Sequence, residues 1–215
     1  CKNYDEIAGE KIIKIAKISE KVSRRYKVPI AIAPPHHLIP LITKFKITIL
    51  AQHMDDKKVG STTGFMIPEI VKKSKIGGSI INHSEHRISE KEIKSLVKRL
   101  QKLKLKTVLC VKNVNEAKKY AKLNPTFIAI EPPELIGTGR AISTERPAMI
   151  TNAVQAVKSA RNSTKLLCGA GIVSGQDVSK AKELGSKGIL VASGIVKAKN
   201  WEKIISEFCK GLKSQ

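Results

Sequence analysis

Seven short apolar runs punctuate the chain, at residues 28–33, 47–51, 76–81, 107–111, 127–130, 165–168 and 188–191. Most are apolar at nearly every position instead of every second one. This predicts strands buried on both faces, as in a parallel sheet covered by helices. Between the runs the apolar spacing changes to three and four. Residues 6–26 place Ile7, Ile12, Ile15, Ile18 and Val22 on one helical stripe, and the same period predicts helices over 90–104, 114–122, 146–161, 175–184 and 200–212. Ser89 followed by Glu92 reads as a capping box, Pro147 sits in a first turn, and Gly185 and Gly188 flank a helix end.

Strand and helix alternate to the C-terminus without a Pro- or Ser-rich linker or a shift in composition, so residues 1–215 read as a single α/β domain. A (β/α)8 barrel follows, with a doubly wound sheet as the alternative. Because the chain opens at Cys1 on what reads as the first helix, strand 1 of the barrel is expected to precede residue 1 and to be absent from this sequence. A barrel without it would carry two exposed sheet edges.

Composition bears on the choice of function class. With 215 residues and 41% hydrophobic content there is enough apolar material for a sizeable core, which argues against disorder. The net charge of +22 raises the question of a nucleic-acid partner. Only seven basic residues are arginine, however, and 33 are lysine, while aromatics make up 4%. Readers of base edges favour arginine and single-strand binders favour aromatic platforms. The lysines are also dispersed over every helix, so no nucleic-acid partner is expected. Cys1, Cys110, Cys168 and Cys209 share no metal-ligand spacing, and no apolar stretch reaches the roughly 20 residues of a membrane span. A soluble protein of the reducing cytoplasm is expected, with no membrane partner.

In a barrel the chemistry lies where strands end, which narrows the candidates. Gly169-Ala170-Gly171 and Ala192-Ser193-Gly194 follow the last two runs, where small residues let backbone N–H groups approach a phosphate. Glycines that merely turn the chain would leave the same pattern. Glu131 directly abuts the run 127–130, and the segment after it is stiffened by Pro132-Pro133 and loosened by Gly137 and Gly139, which suits a hinged lid. A solvated glutamate before an ordinary loop is the competing reading. His83 ends another run and precedes a helix, whose start would favour the neutral imidazole. His36, His37 and His53 form no tetrahedral set with a carboxylate, so no metal is expected.

These residues together carry a resemblance. Glu131-Pro132-Pro133-Glu134-Leu135-Ile136-Gly137-Thr138-Gly139 resembles the catalytic-glutamate lid of the triosephosphate isomerase family in its shorter archaeal form, and Ile81-Asn82-His83-Ser84-Glu85 resembles its catalytic-histidine motif. Lys2-Asn3-Tyr4 is similar to the end of that family's N-terminal catalytic segment, with Cys1 where the family usually has an aromatic. The resemblance implies Glu131 as the base, His83 as the electrophile and Lys2 as the positive charge near phosphate and enediolate, with Glu85 supporting His83 and Lys2. This pairing of roles is the family's own and is not a reading of spacing. The same likeness implies phosphate contacts from Ile136, Gly171, Ala192 and Ser193, a small phosphorylated triose as substrate, no cofactor, and a homo-oligomer, tetramer or dimer. Rival expectations are another phosphosugar barrel such as an epimerase or aldolase, although no Schiff-base lysine ends an internal strand.

Overall fold

The computed structural model describes residues 1–214. Its strands are β1 (Ala31–Ile32), β2 (Thr48–Ala51), β3 (Gly78–Ile81), β4 (Lys106–Val111), β5 (Phe127–Ile130), β6 (Lys165–Gly169) and β7 (Ile189–Leu190). All seven expected runs become strands. They pair in parallel in the order of the sequence, β1 to β7, with β4 set against β5 as Val108↔Phe127 and Cys110↔Ala129. A doubly wound sheet would reverse direction at a switch point, and this order has no reversal.

The helices are α1 (Lys11–Tyr26), α2 (Ile39–Ile42), α3 (Pro68–Val71), α4 (Glu90–Lys102), α5 (Val114–Ala121), α6 (Ile142–Glu145), α7 (Pro147–Lys158), α8 (Gly175–Glu183), α9 (Ser193–Val196) and α10 (Trp201–Lys213). The six long ones answer to the six predicted stretches. The first is shorter than expected, because Gly9 takes φ +55° and separates a short 3-10 turn at Asp5–Ile7 from α1. Single turns such as α2, α3, α6 and α9 escaped prediction, since four residues are too few to show a period. Caps set several starts. The Ser89 hydroxyl accepts from Glu92 N while Glu92 accepts from Ser89 N, and Ser174 and Asp177 repeat the arrangement at α8.

Two apolar cores reveal the curvature of the sheet. Leu109 and Val111 belong to a large core between sheet and helices, whereas Val108 and Cys110, one residue out of phase, point to the other side. There they join Ala33, Leu50, Ile80 and Ala129, with Leu167 and Leu190 packed against them. That cluster draws on every strand or its immediate end from first to last. A flat sheet would hold β1 and β7 far apart, so the sheet is curled into a barrel wall with its own filled interior. Outside, α1 packs against α10, and Lys21 and Arg25 both pair with Glu202 across that contact. The backbone nitrogen of Cys1 donates to Ala33 O at 2.7 Å, which lays the Lys2 segment beside the end of β1. Among the described residues no helix is long and apolar enough to cross a membrane.

Candidate active site

The C-terminal ends of the strands open into a cavity of about 550 Å³. Lys2, His83, Glu85, Glu131, Ile136, Gly171, Ala192 and Ser193, scattered over nearly the whole chain, all line it. His36 and His53 line the same cavity but are otherwise engaged: His36 Nε2 accepts from Gln52 N, and His53 stacks on His86 with Nε2 3.4 Å from Asp55. Met54 turns away into the core.

Glu131 follows β5 and is 7% exposed. Burial pushes its carboxyl up to about 7; the Cys110 thiol, Lys2 and Arg87 pull it partly back, and Glu85 opposes them. Among the described residues its buried Oε2 has no hydrogen-bond partner. It lies 3.6 Å from His83 Nε2, too far for a good hydrogen bond. A buried, unsatisfied acceptor is costly, and such groups cluster where chemistry is done. The room for this side chain comes from β6: a Cβ on Gly169 would sit 2.5 Å from Glu131 Cγ and 2.7 Å from Oε1.

His83 faces the other carboxylate oxygen, Oε2. Its Nδ1 accepts from the backbone N–H of Glu85 at 3.2 Å, which leaves the proton of a neutral ring on Nε2, the nitrogen facing Glu131. Burial, with Lys2 and Arg87 adding to it and Glu85 opposing, lowers the imidazole from its ordinary value. The direction agrees with the sequence reading, but the cause differs. The capped start of α4 lies at Ser89, several residues on, and burial is the largest contribution. Lys2 takes a left-handed φ of +56° and reaches Glu85 Oε1 at 2.7 Å, so Glu85 holds the ammonium at the cavity's edge.

The far end of the cavity is built from backbone. Gly171 has φ +69°, and a Cβ there would meet Arg140 O at 1.8 Å, so only glycine fits between the turn after β6 and the backbone at Arg140. Ala170 O accepts from Ile142 N and ties the same two segments. Ala192 caps α9, whose first turn leaves N–H groups such as that of Ser193 without helical partners. In the segment after Glu131, a 3-10 turn at Pro133–Leu135 leads to Ile136, and Gly137 and Gly139 take φ of +77° and +73°.

Sequence reasoning overlooked Cys110 and Arg87. In the sequence Cys110 is only one of four cysteines without metal-ligand spacing; its inward phase, shared with Val108, is the signal that could have placed it against Glu131. Arg87 donates to Asn82 O and Cys110 O beneath the histidine turn, a link the sequence did not advertise.

A parallel barrel with a high-pKa carboxylate facing a neutral imidazole, and backbone turns of small residues across the same cavity, is an arrangement suited to proton transfer on a small anionic substrate. The sequence model of the triosephosphate isomerase family matches residues 1–208. Relatives named triosephosphate isomerase include those of Cenarchaeum symbiosum, 51% identical over 99% of this chain and 95% of the relative, and Methanocaldococcus jannaschii, 42% identical over 97% and 96%. That of Methanothermus fervidus is 41% identical over 96% and 93%. The chain belongs to the triosephosphate isomerase family. Its activity is the interconversion of D-glyceraldehyde 3-phosphate and dihydroxyacetone phosphate, a step of glycolysis and gluconeogenesis.

Proposed function

We propose that Glu131 is the base of this reaction and His83 its electrophile. The observation that carries the reading is the bare Glu131 Oε2 set 3.6 Å from a His83 Nε2 that holds the ring's proton. The ionised carboxylate takes a proton from the substrate carbon beside the carbonyl, while Nε2–H hydrogen-bonds the carbonyl oxygen as negative charge gathers there. The same imidazole passes a proton between the two oxygens, and Glu131 returns its proton to the neighbouring carbon. No electrons leave the substrate, so the step needs no cofactor. Lys2, held by Glu85, faces the enediolate and phosphate charge; Gly171 and Ser193 bind the phosphate through backbone N–H groups, beside Ala192, and Ile136 covers it from the lid. Closure of the lid keeps water from a reactive intermediate.

Residues 1–215 act as a single barrel domain, and the enzyme works in the cytoplasm as a homo-oligomer, tetramer or dimer. The test is steady-state turnover in a coupled assay. Glu131→Gln lowers kcat by at least about a thousandfold and His83→Gln by about a hundredfold or more, the range of general acid–base contributions. Turnover within about tenfold of the parent for a folded Glu131→Gln protein overturns the assignment.

A further inference from the structure

The residue before His83 is as unusual as the histidine itself. Asn82 is 3% exposed and takes a left-handed φ of +58°. Its side chain is spent in two directions: Nδ2 donates to Cys110 O on β4 at 3.0 Å, and Oδ1 accepts from Ile88 N at 3.3 Å. Its own carbonyl accepts from Arg87 Nη1 at 3.0 Å, and the same guanidinium group reaches Cys110 O. The excursion from Asn82 to Ile88, with His83 at its base, is thereby pinned at both ends to the strand whose thiol lies against Glu131.

Three demands converge on this position: a left-handed backbone, a donor for Cys110 O and an acceptor for Ile88 N. Glycine meets the first alone, and aspartate meets the first and third. Glutamine brings both polar groups on a longer side chain less suited to the left-handed region. Only asparagine answers all three at this reach. The bonds that close this turn also fix the direction in which the chain enters His83.

We propose that Asn82 is a positioning residue whose left-handed backbone and two side-chain hydrogen bonds aim His83 Nε2 at Glu131. The proposal rests on the reading of His83 as the electrophile. The phosphate turns stand on other strands, so Asn82 acts on turnover and leaves substrate binding alone.

The test compares Asn82→Gly, Asn82→Asp, His83→Gln and the Asn82→Gly/His83→Gln double variant by kcat, KM and the 15N resonances of the His83 ring. Asn82→Gly keeps the backbone freedom and deletes both bonds; kcat falls by about tenfold or more while KM stays within about twofold, since small misplacements of a catalytic group are that costly. Asn82→Asp recovers part of the loss through its bond to Ile88 N. The double variant is no slower than His83→Gln alone, because groups acting as one unit are not additive. The ring signals of Asn82→Gly move from the single Nε2–H form toward a tautomer mixture.

A folded Asn82→Gly protein with parental kcat and ring signals overturns the proposal, as does a loss that multiplies that of His83→Gln. If the glycine variant does not fold, Asn82→Asp is read against the same criteria: reduced kcat at unchanged KM supports the proposal and parental kcat refutes it. If His83→Gln itself keeps turnover, the role of His83 falls instead, and the ring signals still decide whether Asn82 sets its orientation.

Discussion

Replacing Glu131 by glutamine turns a buried carboxylate into a neutral amide of the same shape, and its effect on stability depends on pH in a way the structure specifies. The folded carboxyl titrates at about 7 against an ordinary 4.5, a gap of about 3 kcal/mol, with burial as the largest cause. At 7% exposure solvent screens little of it. The folded state binds this proton more tightly than the unfolded chain does. Stability therefore falls as pH rises from 4.5 to 7 and is level beyond, where the full cost of an ionised buried group is present. The glutamine variant lacks that loss. Denaturant unfolding of both proteins between pH 4 and 8.5 shows the variant gaining on the parent by up to about 3 kcal/mol across this window, with no further gain above it. The parent's kcat/KM reports the same group, halving near pH 7 and falling about tenfold per unit below, because the free enzyme's base must be ionised. A stability difference that is flat with pH, or an acid limb centred between 4 and 5, refutes the claim that burial holds Glu131 in its high-pKa state.

Other outcomes follow from single contacts. Gly169→Ala drives a Cβ to within 2.5 Å of Glu131 Cγ, so kcat falls by about tenfold to a hundredfold with KM little changed; steady-state kinetics at parental rates would show that the carboxylate did not need that space. Glu85→Gln releases Lys2 from its 2.7 Å partner and lowers kcat/KM, yet the pair is partly exposed and unfolding free energy changes by less than about 1 kcal/mol. Asn200→Ala removes the acceptor for Lys203 N at the start of α10, costing about 1 kcal/mol in denaturant unfolding with kcat unchanged; a kinetic effect there would contradict the confinement of the site to the strand ends.

By itself the sequence determined the strands, the six long helices and the kind of chemistry. Runs apolar at consecutive positions demand burial on both faces, a local property that the chain carries wherever it folds, and all seven became parallel strands. The lid and histidine motifs were contiguous, so their residues could be named before their neighbours were known. Tertiary structure alone decided what depends on distance through space. The curl of the sheet appears only when Ala33 and Leu190 share one interior cluster, and residues 83 apart meet where Lys2 reaches Glu85. Likewise, Cys110 and Gly169 approach Glu131 from two strands that are distant from it in sequence. A carboxyl pKa near 7 and an imidazole held low both come chiefly from burial. Burial belongs to the packed assembly of strands and not to any one segment of the chain, which is why the residues were legible in advance and the cause of their tuning was not.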